Sequence, residues 1–295
     1  MSRVSAVLIV KNEEAMLATC LKSLSGLDEV VVVDTGSTDT TVKVARAAGA
    51  TVYDDEYVWK DDFADARNYA QAKATGEWIF VIDADEELEP GGVEKIYAAV
   101  KQAEKKDLKV LGVWIKSKGA ISLHNQPRLY RNLPNIKWAG MVHNYLTVAA
   151  EKQSDILILG GNSPTHKADP DRALRMLKKA VLKEPKSARY WYYLGREFGY
   201  KKTWENSVAS LKRCLELSRF PAERADAYFL MARAYWFMRN GNEARRACLQ
   251  AIGLNPNFKE AVLFMGDMSH EREKKAWHAF AQHCTQEGVL FRRVA

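Results

Sequence analysis

Cysteine is scarce: Cys20, Cys214, Cys248 and Cys284 are the whole supply in 295 residues, and no two of them form a CxxC pair. That spacing suggests neither a disulfide framework nor a zinc cage, and it leaves core thiols as the expectation. Long apolar runs are missing too. SAVLIV, VVVV and WIFVI fall far short of the roughly 20 residues a membrane span requires, so no spanning segment is expected. The first residues lack the charged-then-apolar pattern of a signal peptide, from which a cytoplasmic location is expected. Neither G-x-G-x-x-G nor the P-loop pattern occurs, which argues against a dinucleotide-binding enzyme and a P-loop NTPase.

What is present divides unevenly. Residues 1–165 carry 19 Lys+Arg against 23 Asp+Glu, net −4, and the remainder carries 25 against 14, net +11. Opposite balances in two segments, each long enough for a core, predict two domains with two tasks. We place them at 1–165 and 166–295. The basic one suits an anionic partner such as nucleic acid, in which case binding would weaken steeply with salt. Its cations come as dispersed pairs, Lys178 and Lys179, Lys201 and Lys202, Arg245 and Arg246, Lys274 and Lys275, which equally suits solvated helix faces.

The first segment alternates short apolar runs with stretches of helical period, the pattern of strand-helix-strand units and a mostly parallel sheet. SAVLIV, EVVVVD, TVYD and EWIFVI read as successive strands. A helix is predicted from Thr38 or Asp39 with Gly49 as its stop, and another with Phe63, Ala66, Tyr69 and Ala70 on one face. Ligands in such sheets bind beyond the carboxyl ends of the strands. Lys11, Asn12, Asp34, Asp83 and Asp85 all fall there. From about residue 167 only helices are predicted, with a repeat. Trp191, Leu194, Gly195 and Phe198 match W-x2-L-G-x2-Y of the tetratricopeptide repeat (TPR), and Tyr228, Met231, Ala232 and Tyr235 repeat it about 37 residues on, near the ~34-residue period. Ala173, Leu177, Ala180 and Pro185 fit the second half of an earlier copy, and Met265 and Gly266 start another. The aromatics of YWYYLG are expected in the repeat core, because helical pairs of this kind bury their faces only by stacking.

The stretch EWIFVIDADEELEP ends in five carboxylates, Asp83, Asp85, Glu86, Glu87 and Glu89. Like charges so close repel. A hard divalent cation would relieve them, and Mg²⁺ or Mn²⁺ usually enters such a site with substrate phosphates, so a nucleoside diphosphate is the natural second ligand. Asp-x-Asp alone is common, and its default explanation is a solvated acidic turn.

Context narrows this. AVLIVKNEEAMLATCLKSL, EVVVVDTGSTDTTVKVARAAGA, WKDDFADARNYAQAKATGEWIFVIDADEEL, QPRLYRN and IKWAGMVHNYL, in that order, resemble the blocks of the family 2 glycosyltransferases of the GT-A fold over most of residues 4–160. The resemblance implies an α/β, Rossmann-like GT-A catalytic domain followed by an all-α, TPR-like domain. It implies an inverting enzyme that takes sugar from a nucleoside diphosphate donor, UDP-linked by expectation, to a peptide, saccharide or nucleic acid acceptor. Lys11, Asn12, Glu13 and Asp34 would lie along base and ribose, and Arg67 and Asn68 near the donor, with the Asp83-Ala84-Asp85 motif on its diphosphate. Asp83 and Asp85 would hold the metal, with His143 or His166 as a further ligand. Catalytic roles fall to Asp85 and to a base drawn from His143, Glu86 and Glu87, unless the acceptor is acidic enough to need little help, as a thiol would be, because His143-Asn144 stands where many relatives read His-Glu and an amide is no base. Asp34 has a rival reading as a turn cap, and Arg67 as the partner of Asp61, Asp62 or Asp65. Asn144 also keeps open a silent nucleotide-binding domain on a TPR scaffold for a partner protein. Self-association into a homo-oligomer is compatible with either.

Overall fold

Apolar side chains at nearly every position of Val4–Val10 make a strand that has to be covered on both faces, and this one lies mid-sheet. The computed structural model describes residues 2–117, 123–161, 163–164 and 169–290. It divides into two units, Met1–Pro170 and Asp171–Ala295.

The first unit runs β1 (Val4–Val10), α1 (Leu17–Ser23), β2 (Glu29–Asp34), α2 (Thr41–Ala47), β3 (Thr51–Tyr53), α3 (Phe63–Lys73), β4 (Trp78–Val81), β5 (Glu86–Leu88), α4 (Gly92–Lys105), β6 (Val110–Ser117), β7 (Leu123–Arg131), β8 (Trp138–Ala139), β9 (Tyr145–Leu146) and β10 (Lys152–Gly160). Eight strands form one sheet in the order β3-β2-β1-β4-β7-β6-β10-β5, and β8 pairs with β9. The β3-β2-β1-β4 half is parallel, as is β6 with β10, while β7 and β5 run against their neighbours. Alternation along β1 sorts the two cores. Ala6, Leu8 and Val10 pack with Leu17, Leu21 and Ile96 on one face, and Val7 packs with Ala66, Ala70 and Tyr130 on the other.

Helix α2 starts later than Thr38 or Asp39 because both are spent in the preceding loop. The Thr38 N–H donates to Asn12 Oδ1 at 2.7 Å, and Asp39 Oδ1 accepts from the Thr41 N–H at 2.9 Å. Gly49 follows the helix at φ +83°, a value glycine adopts without strain.

The second unit is helical: α5 (Arg172–Lys183), α6 (Ala188–Tyr200), α7 (Trp204–Leu217), α8 (Pro221–Phe237), α9 (Gly241–Leu254), α10 (Lys259–Asp267) and α11 (Glu271–Ala281). Gly195 shows why the repeat wants a small residue: a Cβ there would stand 2.6 Å from Leu211 Cγ and 3.2 Å from the Ser207 carbonyl on α7. Tyr190, Tyr192 and Tyr193 are buried, so these aromatics are core. Members of three of these basic pairs form ion pairs within the unit, Lys201 with Asp171, Arg245 with Glu273, Arg246 with Glu243 and Lys274 with Asp267.

Successive repeats are tied by the Tyr192 hydroxyl of α6, which donates to Asp226 Oδ2 of α8 at 2.5 Å, Asp226 being fully buried. Tyr192→Phe takes a donor from a buried carboxylate and is expected to cost about 1–3 kcal/mol. Urea unfolding followed by tryptophan fluorescence measures it, and a loss below about 0.5 kcal/mol would mean the bond is worth little.

Candidate functional site

The ends of β2, β1 and β4 are neighbours because the strands are parallel and in register, Val10 beside Asp34 and Val7 beside Val81. The loop after β1 is laced to the loop after β2. Asn12 (φ +55°) donates its N–H to Ser37 Oγ at 2.9 Å, and the Glu13 N–H donates to Thr41 Oγ1 at 2.7 Å. Asp34 is buried and curls its own turn, accepting from the N–H groups of Gly36 and Ser37 and from the Ser37 hydroxyl. Lys11 is exposed at the same edge and Glu13 is buried.

Beyond β4 the chain turns through Asp83-Ala84-Asp85-Glu86. The turn closes twice: the Glu86 N–H donates to the Asp83 carbonyl at 3.0 Å, and the Asp83 N–H donates to Glu86 Oε2 at 2.8 Å. Two guanidiniums hold it from outside. Arg67 of α3 donates to Asp83 Oδ1 at 2.6 Å, and Nη2 of Arg128 on β7 reaches Asp83 Oδ2 at 3.1 Å and Glu86 Oε1 at 3.2 Å. Burial alone would raise the Asp83 carboxyl, but Arg67 and Arg128 outweigh it and hold it well below the usual carboxylate range. Glu86, deeper, is pushed up to about 7 by burial, with the Asp83 charge adding to the rise and Arg128 opposing it. Burial and the surrounding carboxylates, Glu86 foremost, push the Cys20 thiol up as well. That makes Cys20 a core thiol rather than a nucleophile.

Arg67 thus pairs with Asp83 and not with the aspartates of its own helix. Its neighbour Asn68 turns elsewhere, exchanging two 2.9 Å hydrogen bonds with the backbone of Trp138, whose ring lies 4.9 Å from the Arg67 guanidinium. The segment so clamped contains His143, held at φ +49°, and Asn144. Strained backbone of that kind collects at functional sites. His166 lies outside the described residues.

Asp85 is half-buried and lines a cleft of about 410 Å³ with Glu86, Glu87, Cys20, Lys116 and Gly161. Its Oδ2 accepts from the Ser163 N–H at 3.2 Å. Gly161 lets the chain pass, for a Cβ there would lie 2.0 Å from the Asp85 carbonyl oxygen. Gly161→Ala must move backbone and is expected to cost about 1–3 kcal/mol, whereas Gly253→Ala, with nothing within 4 Å, should be neutral or stabilising. Thermal unfolding of the two variants side by side checks the contrast.

Mg²⁺ and Mn²⁺ are usually held by one or two carboxylates plus phosphate oxygens rather than by an all-protein cage. Asp85, open to the cleft, fits that donor set. Asp83 fits it poorly, with a guanidinium at each oxygen. Among the described residues no group of three or more His, Cys, Asp or Glu could hold a metal ion. Arg128 and Lys116 were not singled out from the sequence. Arg128 falls at a register shift of β7 against β6, between Leu129 and Pro127, where strand alternation carries no signal.

The profile of glycosyl transferase family 2 matches residues 5–153, and that of the tetratricopeptide repeat matches residues 225–258. A TPR repeat-containing protein of Synechococcus elongatus is 39% identical over 144 residues, which are 48% of this chain and 35% of that one. The SPbeta prophage-derived glycosyltransferase SunS of Bacillus subtilis is 26% identical over 219 residues, 70% of this chain and 52% of its own. Among solved structures, S. aureus TarS residues 1–349 superpose with a TM-score of 0.46 at 15% identity, covering 98% of this chain and 93% of that one. The chain spans about a third to a half of the length of the curated relatives it matches. The first profile covers half of the chain and includes both the strand ends and the acidic turn, and on that ground the chain belongs to glycosyl transferase family 2.

Proposed function

We propose that the chain transfers a sugar, with inversion, from a nucleoside diphosphate donor, UDP-linked in the first instance, to an acceptor engaged partly by the helical repeats. The acceptor class is peptide, saccharide or nucleic acid. The observation that carries this reading is the acidic turn after β4, which sets the half-buried carboxylate of Asp85 on a cleft while two arginines fix its neighbour Asp83.

In this reading Asp85 would hold a divalent cation that accompanies the donor. The cation, when bound, supplies Lewis-acid stabilisation of charge on the leaving nucleoside diphosphate. The rest is done by the chain. Lys11, Asn12 and Glu13 border the nucleoside, and Asp34 shapes that border by curling the Gly36-Ser37 turn. Glu86 is tied at both oxygens, to Arg128 and to the Asp83 N–H. In this reading it serves as structure, and His143 takes the acceptor's proton. Neutral imidazole suits that step near pH 7.

The test is a panel of UDP- and GDP-sugars scored for nucleoside diphosphate release, with Mn²⁺, with Mg²⁺ and with EDTA. Metal-dependent release with one donor class is the expected result. No release and no metal-dependent binding of UDP by calorimetry would sink the transfer reading and leave the scaffold.

A further inference from the structure

Strands β8 and β9 are two residues each and form a sheet of their own, with Trp138 opposite Leu146 and Ala139 opposite Tyr145. A two-stranded hairpin is marginal in water even when longer than this. The loop it carries, with His143 at φ +49°, therefore takes its position from whatever holds the hairpin. Helix α3 does so at three places. The Phe63 N–H donates to the Met141 carbonyl at 2.9 Å, Asn68 holds the Trp138 backbone, and Gln71 Nε2 donates to the Ile136 carbonyl at 3.0 Å. As α3 advances, its partners step back along the segment from Met141 to Ile136.

The third hold belongs to a closed relay. Trp138 Nε1 donates to the Tyr130 hydroxyl at 2.9 Å, the hydroxyl donates to Gln71 Oε1 at 3.1 Å, and the Gln71 amide returns to the carbonyl of Ile136, two residues before Trp138. The relay runs in one sense, because a flipped Gln71 amide would set its oxygen against that carbonyl. Gln71 and Tyr130 are 2% and 0% exposed, so a partner lost here is not replaced by solvent. Resting on the transfer reading above, we propose that Gln71 and Tyr130 are positioning residues for His143. They act through the hairpin, fixing its root against α3 and β7 and thereby the place of the imidazole at its tip.

The ring proton–carbon correlation spectrum of the full chain, labelled at histidine, tests this without turnover, the His143 peak being identified by its loss in His143→Gln. In wild type that peak is expected away from the position of free histidine. Tyr130→Phe removes one hydroxyl, and Gln71→Met removes the amide while keeping the length. Both should move the His143 peak toward the free position and leave that of His124, on β7 of the same unit, in place. With the donor that wild type uses, kcat of both variants should fall about tenfold or more while donor KM stays within about twofold, since a misplaced group costs rate rather than uniform binding. An unmoved His143 peak in folded Tyr130→Phe, or an equal displacement of His124, would overturn the proposal whether or not the protein transfers sugar. The expected peak movement with no nucleoside diphosphate release by wild type would sink the transfer reading alone and support the hold on the hairpin. Tyr130→Phe, the milder change, decides the matter if Gln71→Met fails to fold.

Discussion

Asp85→Asn is expected to lower turnover at saturating donor by two to three orders of magnitude while the protein stays folded. Asparagine keeps the shape of the side chain and an oxygen that can accept the Ser163 N–H, now 3.2 Å from Oδ2, so that hydrogen bond can persist. What it loses, under the proposed function, is the negative charge that would hold the cation. Lewis-acid stabilisation is worth several kcal/mol, and each 1.36 kcal/mol is tenfold in rate, which gives about 10²–10³. Raising Mn²⁺ should recover only part of the loss. The measurement is a rate at several Mn²⁺ concentrations beside a thermal melt, and a variant within threefold of wild type would show that Asp85 is not the cation's carboxylate.

The second large effect is on stability. Arg128 sends one nitrogen to two carboxylates, Asp83 and Glu86, and its side chain is 6% exposed. Removing one partner of a buried ion network leaves charge uncompensated, and the usual loss is about 3–5 kcal/mol. Arg128→Met fills most of the volume and isolates the electrostatic part. Arg128→Lys restores charge without the forked geometry and should fall between the two. Denaturant unfolding of the three proteins decides it. A loss under about 1 kcal/mol for Arg128→Met would mean that Arg67 alone balances the turn.

How much of this was legible beforehand depends on the range of the interaction. β1, β2 and β4 announce themselves as apolar runs, and the repeats announce themselves by spacing, because both signals are local. Two things were hidden, and a third stood open between two readings. β5 is Glu86-Glu87-Leu88 on the edge of the sheet, and two carboxylates in three residues do not read as a strand until β10 is there to pair with it. Arg128 meets Asp83 from 45 residues away, a distance no spacing rule spans. Asp34 stands where a ligand contact would be sought, yet its carboxylate is spent on the next turn, a choice between a local partner and an absent one that composition does not settle. Arg67 and Asn68 read as one pair in the sequence, and their separate partners, Asp83 and the Trp138 backbone, lie too far along the chain for spacing to reveal.

That division has a mechanical side. Arg67 and Asn68 are consecutive on α3, so the helix turns their side chains roughly 100° apart. One grips the acidic turn after β4, and the other grips the backbone of Trp138 at the start of the strand pair that leads to His143. A single peptide unit therefore serves as a bracket between the leaving-group side and the proton-accepting side of the proposed reaction. The two grips share one helix, so the spacing between them is set by α3 and the three side-chain hydrogen bonds it carries rather than by solvent.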